Sequence, residues 1–181
     1  MYEDKRTMPK QAGTIPTPIT TPADPHAKVL PVGDVIDVLN NLSECCKDGQ
    51  IGFQKAADDA KEQPLKQIFT RLSDERMHLA SVLQSQVKRL GGQPDAGGTV
   101  GGAIHRGWNS MKAAVGVRDD VSILKDCESC EDDTQKQYLE ATSKPLPTEV
   151  HALLVRQAET VRVAHTINRD QRDMRVAHPK V

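Results

Sequence analysis

The stretch of residues 64–92 has its apolar residues three and four positions apart. Because an α-helix turns once every 3.6 residues, this spacing places them on a single helical face. Pro64 is typical of a first helical turn, and the Gly91-Gly92 pair is typical of a helix end. The stretch therefore predicts a helix of roughly 40 Å that must bury one face. That face consists of Leu65, Ile68, Phe69, Leu72, Leu79, Val82, Leu83, Val87 and Leu90.

The preceding segment predicts an antiparallel partner for this helix. Asp34 is a suitable N-cap for a first helix over about Val35–Lys61, whose inner residues alternate steps of three and four. A tight turn near Glu62 and Gln63 separates the two helices, so we expect them to form a hairpin.

Two further helices are predicted in the second half of the chain. Asp119 or Asp120 can cap a third helix over about Val121–Ser143. Its predicted inner face consists of Val121, Leu124, Cys127, Thr134, Tyr138 and Leu139. Prolines follow that helix and end it, and Thr148 can start a fourth. The second pair of helices therefore forms another hairpin.

The connection between the hairpins, residues 93–118, is too long for a simple turn and has about the reach needed to return along a bundle. We expect it to contain a short helix carrying the only tryptophan, Trp108. No strand pattern occurs. The sequence thus predicts an all-α fold, a ferritin-like four-helix bundle of two antiparallel hairpins joined by a long crossover with a short helix. The expected organisation is a flexible Pro-rich arm (1–32), the bundle (33–175) and a frayed C-terminus (176–181).

Composition excludes several classes of function. The chain has 24 basic and 25 acidic side chains, so no net field attracts nucleic acid or an anionic membrane. It has no apolar run long enough for a transmembrane helix and no secretory signal near Met1. We therefore expect a cytoplasmic protein whose four cysteines are mostly reduced.

Polar residues interrupt the inner face of every predicted helix. Glu131 and Gln157 lie at the centres of the third and fourth faces, Glu75 within the second and Gln50 beside the first. All four fall near the middle of the bundle, within roughly one turn of each other. They predict a buried polar layer.

This layer is a candidate metal centre. Di-metal bundles use one Glu from each of two helices and a Glu-x-x-His motif from each of the other two. Glu75 and His78 have that spacing, Glu131 suits the lone-Glu role, and His165 lies two turns beyond Gln157. The candidate ligands for iron or manganese are therefore Glu75, His78, Glu131 and His165. Only half of the motif is complete, so a mononuclear site or a metal-free layer stays open.

The alternative interpretation is a structural ion pair. Arg76 also lies on the inner face and could neutralise Glu75 or Glu131 directly.

The four cysteines lie at similar depth on the first and third helices. Cys46 and Cys127 face inward, whereas Cys45 and Cys130 lie toward the flanks, so packing as small apolar groups is favoured. A zinc site, a Cys46–Cys127 disulfide or a redox switch are the alternatives.

Several short motifs occur along residues 39–173, about three quarters of the chain. They are Cys46-Lys47-Asp48-Gly49, Leu90-Gly91-Gly92, Gly102-Ala103-Ile104-His105-Arg106-Gly107-Trp108, Cys127-Glu128 with Glu131-Asp132, and Gln157 with Val161 and His165. With these motifs the chain resembles a bacterial family of unknown function, described as ferritin-like four-helix-bundle proteins. The resemblance implies that fold and a bacterial cytoplasm, but no established activity. Family members commonly carry Glu where this chain has Gln50.

Two functions of different class follow. The first is a non-catalytic bundle that acts through association, for example in a stress response, with Trp108 or the N-terminal arm contacting a protein partner. The second is a metal-binding or redox protein that uses the incomplete carboxylate site. Bundles of this kind often dimerise, so a homo-oligomer is expected in either case.

Overall fold

The computed structural model describes residues 29–95 and 119–178. They form four helices, α1 (Val32–Asp59), α2 (Gln63–Arg89), α3 (Asp120–Thr142) and α4 (Thr148–Ala177). No strand occurs in this part of the chain. Helix α1 packs mainly against α2, and α3 against α4, while α1 also contacts α3. The predicted all-α four-helix bundle is confirmed. None of the four described helices is long and apolar enough to cross a membrane.

The ends of the helices show how the two hairpins are connected. Gly92, just after α2, lies against Ile36 at the start of α1. At the opposite end, the backbone N–H groups of Lys61 and Glu62 donate to the Asp120 carboxylate at 2.8 and 3.2 Å. The first hairpin therefore ends at one end of the bundle and α3 begins at the other. The crossover prediction is confirmed to this extent, whereas the predicted short helix with Trp108 lies outside the described residues.

The predicted boundaries of α3 are each one residue off, and those of α1 differ more from the structure. Helix α1 follows Pro31 and starts at Val32, so the prediction of Asp34 as its N-cap is wrong. Asp34 lies inside the first turn, where a negative charge still favours the helix N-terminus. Helix α1 also ends at Asp59, two residues before the predicted Lys61. For α3 the cap is confirmed, because the Asp119 carboxylate accepts a hydrogen bond from Ser122 N at 2.7 Å.

The core consists of two apolar clusters that meet at the polar layer. The cluster near the α1–α2 turn is built around Phe53 and Phe69, whose ring centroids are 6.2 Å apart. The other cluster includes Leu83, Tyr138 and Leu154. Leu139 was predicted near the inner face of α3 and is 70% exposed, so that placement is wrong. Tyr138 takes the inner position, and the next residue is rotated about 100° toward the outer surface.

Candidate functional site

An ion pair lies at the centre of the polar layer. Arg76 of α2 and Glu131 of α3 are 1% and 0% exposed, and Arg76 Nη2 donates to Glu131 Oε2. Both residues point inward because each replaces an apolar residue in its helical stripe. The alternative interpretation of Arg76 is therefore confirmed for Glu131.

Helix α1 provides the space for the arginine. A Cβ atom at Gly49 would lie 3.3 Å from Arg76 Cδ, so only glycine lets the side chain pass without displacement. One turn along α1, the Phe53 ring centroid is 5.9 Å from Arg76 Cζ, a cation–π distance. The guanidinium is thus held between an aromatic ring and a carboxylate.

The ion pair leaves part of its hydrogen-bonding capacity unused. Arg76 Nε and Nη1 and Glu131 Oε1 are buried and have no hydrogen-bond partner among the described protein atoms. Burial raises the pKa of Glu131 to about 7, although the attraction of Arg76 opposes that shift. The layer therefore contains a carboxyl group that can change its protonation state near neutral pH.

A hydrogen-bonded chain next to the ion pair joins all four helices. Tyr138 Oη of α3 donates to Gln157 Oε1 of α4 at 2.8 Å, and Gln157 Nε2 donates to Leu79 O of α2 at 3.2 Å. Cys46 Sγ of α1 lies 3.2 Å from Tyr138 Oη. Because the tyrosine proton is directed to Gln157, we assign the thiol as donor to the tyrosine oxygen. The inward position of Gln157 was predicted, but the role of Tyr138 was missed. Its hydroxyl, on the inner stripe two turns beyond Glu131, was the available signal.

All four cysteines are buried, and none forms a disulfide. Cys45 and Cys130, expected toward the flanks, are only 6% and 5% exposed. Burial raises the pKa of Cys46, and it raises the pKa of Cys130 to about 12, so both stay thiols at neutral pH. Cys45 Sγ donates to Thr134 Oγ1 at 3.6 Å. These surroundings are typical of packed thiols.

The four candidate metal ligands occupy different surroundings. Glu75 is partly buried, which raises its pKa, and His78 is exposed on α2. Glu131 is held by Arg76, while His165 Nε2 lies 2.8 Å from Asp132 Oδ1 at the surface. Within residues 29–95 and 119–178, no three His, Cys, Asp or Glu side chains are grouped so as to hold a metal ion. As arranged here, these side chains do not fit a di-metal centre, which needs several converging ligands.

Solved structures with a similar fold include three bacterial proteins. A two-domain protein from Anabaena variabilis, with DJ-1/ThiJ/PfpI-like and ferritin-like domains, has a TM-score of 0.67 and 11% identity. The match covers 84% of this chain but only 41% of that protein. Dps from Mycobacterium smegmatis has a TM-score of 0.65 and 11% identity, with coverage of 80% and 93%. The dodecameric thioferritin of Bacteroides fragilis, a bacterioferritin-related protein, has a TM-score of 0.61 and 16% identity, with coverage of 83% and 94%.

These similarities identify the fold as ferritin-like. No curated protein matches the chain. The family match is more direct, because residues 34–144 align with one family over more than half of the sequence. The chain belongs to the family described as "Domain of unknown function (DUF2383)".

Proposed function

We propose that this protein is a non-catalytic ferritin-like bundle that acts through association with other protein chains. In its core, the guanidinium of Arg76 takes the place of a metal cation and pairs with Glu131. The observation that carries the proposal is the buried guanidinium of Arg76. In di-metal bundles, inward carboxylates neutralise bound cations. Here the carboxylate of Glu131 already has a permanent cation, supplied by the chain itself.

The hydrogen-bonded chain supports a structural role for the layer. The groups of Cys46, Leu79, Tyr138 and Gln157 come from four different helices and satisfy one another. Buried polar networks of this kind fix which faces of helices meet, because a misplaced helix would leave several buried groups without partners. A layer that specifies the fold needs no substrate.

Association is supported by the assembly that a protein of similar fold forms. One structural neighbour is a dodecamer, which shows that a similar bundle can assemble into a larger particle. We extend self-assembly to this chain as part of the proposal. The proposal also includes a cytoplasmic location, which suits four buried cysteines that form no disulfide, and a stress-related role.

A second candidate function is metal binding or redox chemistry at Glu75, His78, Glu131 and His165, with iron or manganese as the metal. One specific observation favours it: the charge of Glu75 acts on Glu131 and helps to raise its pKa, so two carboxyl groups share the layer. One oxygen of Glu131 also has no hydrogen-bond partner among the described protein atoms. Metal binding would require Arg76 to leave the layer and both histidines to turn inward.

Metal content distinguishes the two candidates. The full chain is incubated anaerobically with ferrous iron or manganese and desalted, and bound metal is measured by elemental analysis. We expect no stoichiometric metal and no change in thermal stability. A near-stoichiometric metal content that is lost in Glu75→Ala would refute the metal-free core. Glu159→Ala is the matched control, because Glu159 is exposed and paired with Arg162.

A further inference from the structure

The outer surface of the second hairpin carries an apolar groove between α3 and α4. Leu139 and Val155, which are 70% and 47% exposed, line it from opposite sides. Lys136 and Glu159 line the same groove, also from opposite sides. Arg162, which is paired with Glu159, lines the groove as well. Exposed apolar groups combined with charged groups of both signs are typical of a protein contact surface.

We propose that this groove is a self-association surface and that its occupant is a second copy of the same chain, joined by a twofold axis that runs along the groove. The proposal rests on the association function proposed above and deepens it by naming the partner. Self-association through the groove and the metal-free core can be refuted separately, because each depends on a different part of the molecule.

The register of α3 against α4 provides the first step of the argument. The two helices are antiparallel, and the Tyr138–Gln157 hydrogen bond fixes which residues lie level with one another. In that register Leu139 lies level with Val155. Three residues earlier on α3 and four later on α4, Lys136 lies level with Glu159. The groove is therefore paired apolar-to-apolar at one level and cation-to-anion at the next.

Twofold symmetry makes such a groove self-complementary. A rotation about an axis along the groove exchanges its two sides and leaves every level unchanged, so α3 of one copy faces α4 of the other. Leu139 then meets Val155 of the second copy, and Lys136 meets Glu159 of the second copy. Each contact occurs twice, as in any isologous interface. Arg162, which donates to both Glu159 oxygens at 2.6 and 2.7 Å, keeps that carboxylate beside the groove.

The described part of the crossover does not cover the groove. Asn40 Nδ2 donates to Gln93 O at 3.2 Å and Lys47 Nζ donates to Asp95 O at 2.8 Å, so this segment leaves along α1. On the N-terminal side, Leu30 lies at the α3–α4 turn, where Leu30 N donates to Pro145 O at 2.9 Å. Coverage by the chain's own arm would not depend on protein concentration, whereas a dimer does.

Sedimentation velocity of the full chain over a range of concentrations tests the proposal. We expect a reversible dimer whose dissociation constant rises at least about tenfold in Leu139→Asp, because a buried apolar anchor is replaced by a charge. Ile51→Asp is the matched control, since Ile51 is 48% exposed on α1, and it should leave the constant unchanged. Circular dichroism shows that each variant is folded.

A charge exchange tests the pairing between copies. Lys136→Glu and Glu159→Lys should each weaken the homodimer, because both of the symmetry-related contacts between positions 136 and 159 then join like charges. A mixture of the two variants restores opposite charges at both contacts, so the mixed dimer should form more tightly than either homodimer.

Three results overturn the proposal. The first is a wild-type chain that stays monomeric at every concentration. This result overturns the proposal even if the groove binds residues 1–28 or a helix of another protein. The second is an oligomer that Leu139→Asp leaves unchanged. The third is a mixture that associates no better than its components. In each case a metal-free core would still stand, and metal uptake in a chain that dimerises through the groove would refute only that core.

Discussion

Replacing Glu131 with glutamine should remove a pH dependence from the stability of the bundle. In the folded chain, burial raises the pKa of Glu131 to about 7, against an ordinary value of 4.5. The folded state therefore binds more protons than the unfolded state between these two values. The linkage relation then requires the stability that this carboxyl contributes to be complete below about pH 4.5 and to be lost as the pH rises through about 7. The difference in pKa corresponds to roughly 3 kcal/mol.

The assay is urea unfolding of the wild type and Glu131→Gln at several pH values between about 4.5 and 7.5. Glutamine has nearly the same shape as the protonated acid but does not titrate, and all other groups are shared. The free energy of unfolding of the wild type, relative to the variant, should therefore fall by roughly 3 kcal/mol across this range. A difference that stays constant, or grows with pH, would show that Arg76 outweighs burial and would refute the reasoning.

Asp119→Asn is the control for this experiment, because Asp119 lies outside the α3–α4 groove. The hydrogen bond from Ser122 N lowers the pKa of the exposed Asp119, the opposite direction from Glu131. Its stability contribution is therefore lost as the pH falls, and its exposure to solvent keeps the effect small. A shallow dependence of opposite sign is expected, which separates burial from the mere loss of a carboxylate.

Three further predictions concern packing in the core, and Gly33→Ala is the control for the first. Gly49→Ala should destabilise the bundle by up to about 2 kcal/mol in urea unfolding, because the contact of its Cβ with Arg76, which Glu131 holds in place, outweighs the gain in helix propensity. By contrast, Gly33→Ala should be neutral or stabilising, since a Cβ there meets nothing within 4 Å. Tyr138→Phe should reduce the free energy of unfolding by about 1–3 kcal/mol, because Gln157 loses its buried donor. The loss should appear as a lower midpoint of thermal unfolding. The four buried cysteines should react with a thiol reagent such as dithionitrobenzoate only at the rate of unfolding, and fast labelling of the native chain would contradict their burial.

The architecture could be predicted because it depends on long, regular patterns. Each helix carries several turns of apolar spacing, and Pro64, the Gly91-Gly92 pair and Thr148 punctuate the ends. Single positions were less certain. Tyr138 and Leu139 are adjacent and both lie near the stripe, and the packing of α3 on α4 decides which one is buried. The apolar spacing along the helix does not determine which of these two residues is buried.

The site was predictable to the extent that its members interrupt a stripe. Arg76, Glu131 and Gln157 replace apolar residues at inner positions, so their burial follows from the helical period. The ion-pair partner of Arg76 does not follow from the helical period. The sequence left Arg76 free to pair with Glu75 or Glu131, and the relative rotation of α2 and α3 selects Glu131. His78 fits the Glu-x-x-His spacing, yet it lies on the exposed side of α2. The spacing of a motif does not specify which side of its helix faces the core.

A cation that belongs to the chain has a different consequence from one that is bound. A metal centre ties the stability of the core to metal supply, because binding contributes to the folded state alone. Arg76 cannot dissociate, and it stays protonated at every physiological pH. Its planar guanidinium also demands a fixed direction of approach from Glu131, which restricts how α2 is rotated relative to α3 across the core. The stability of such an interior is therefore independent of metal supply, although it still depends on pH through Glu131. Contacts with other molecules fall to the exterior, where the α3–α4 groove is one exposed apolar feature.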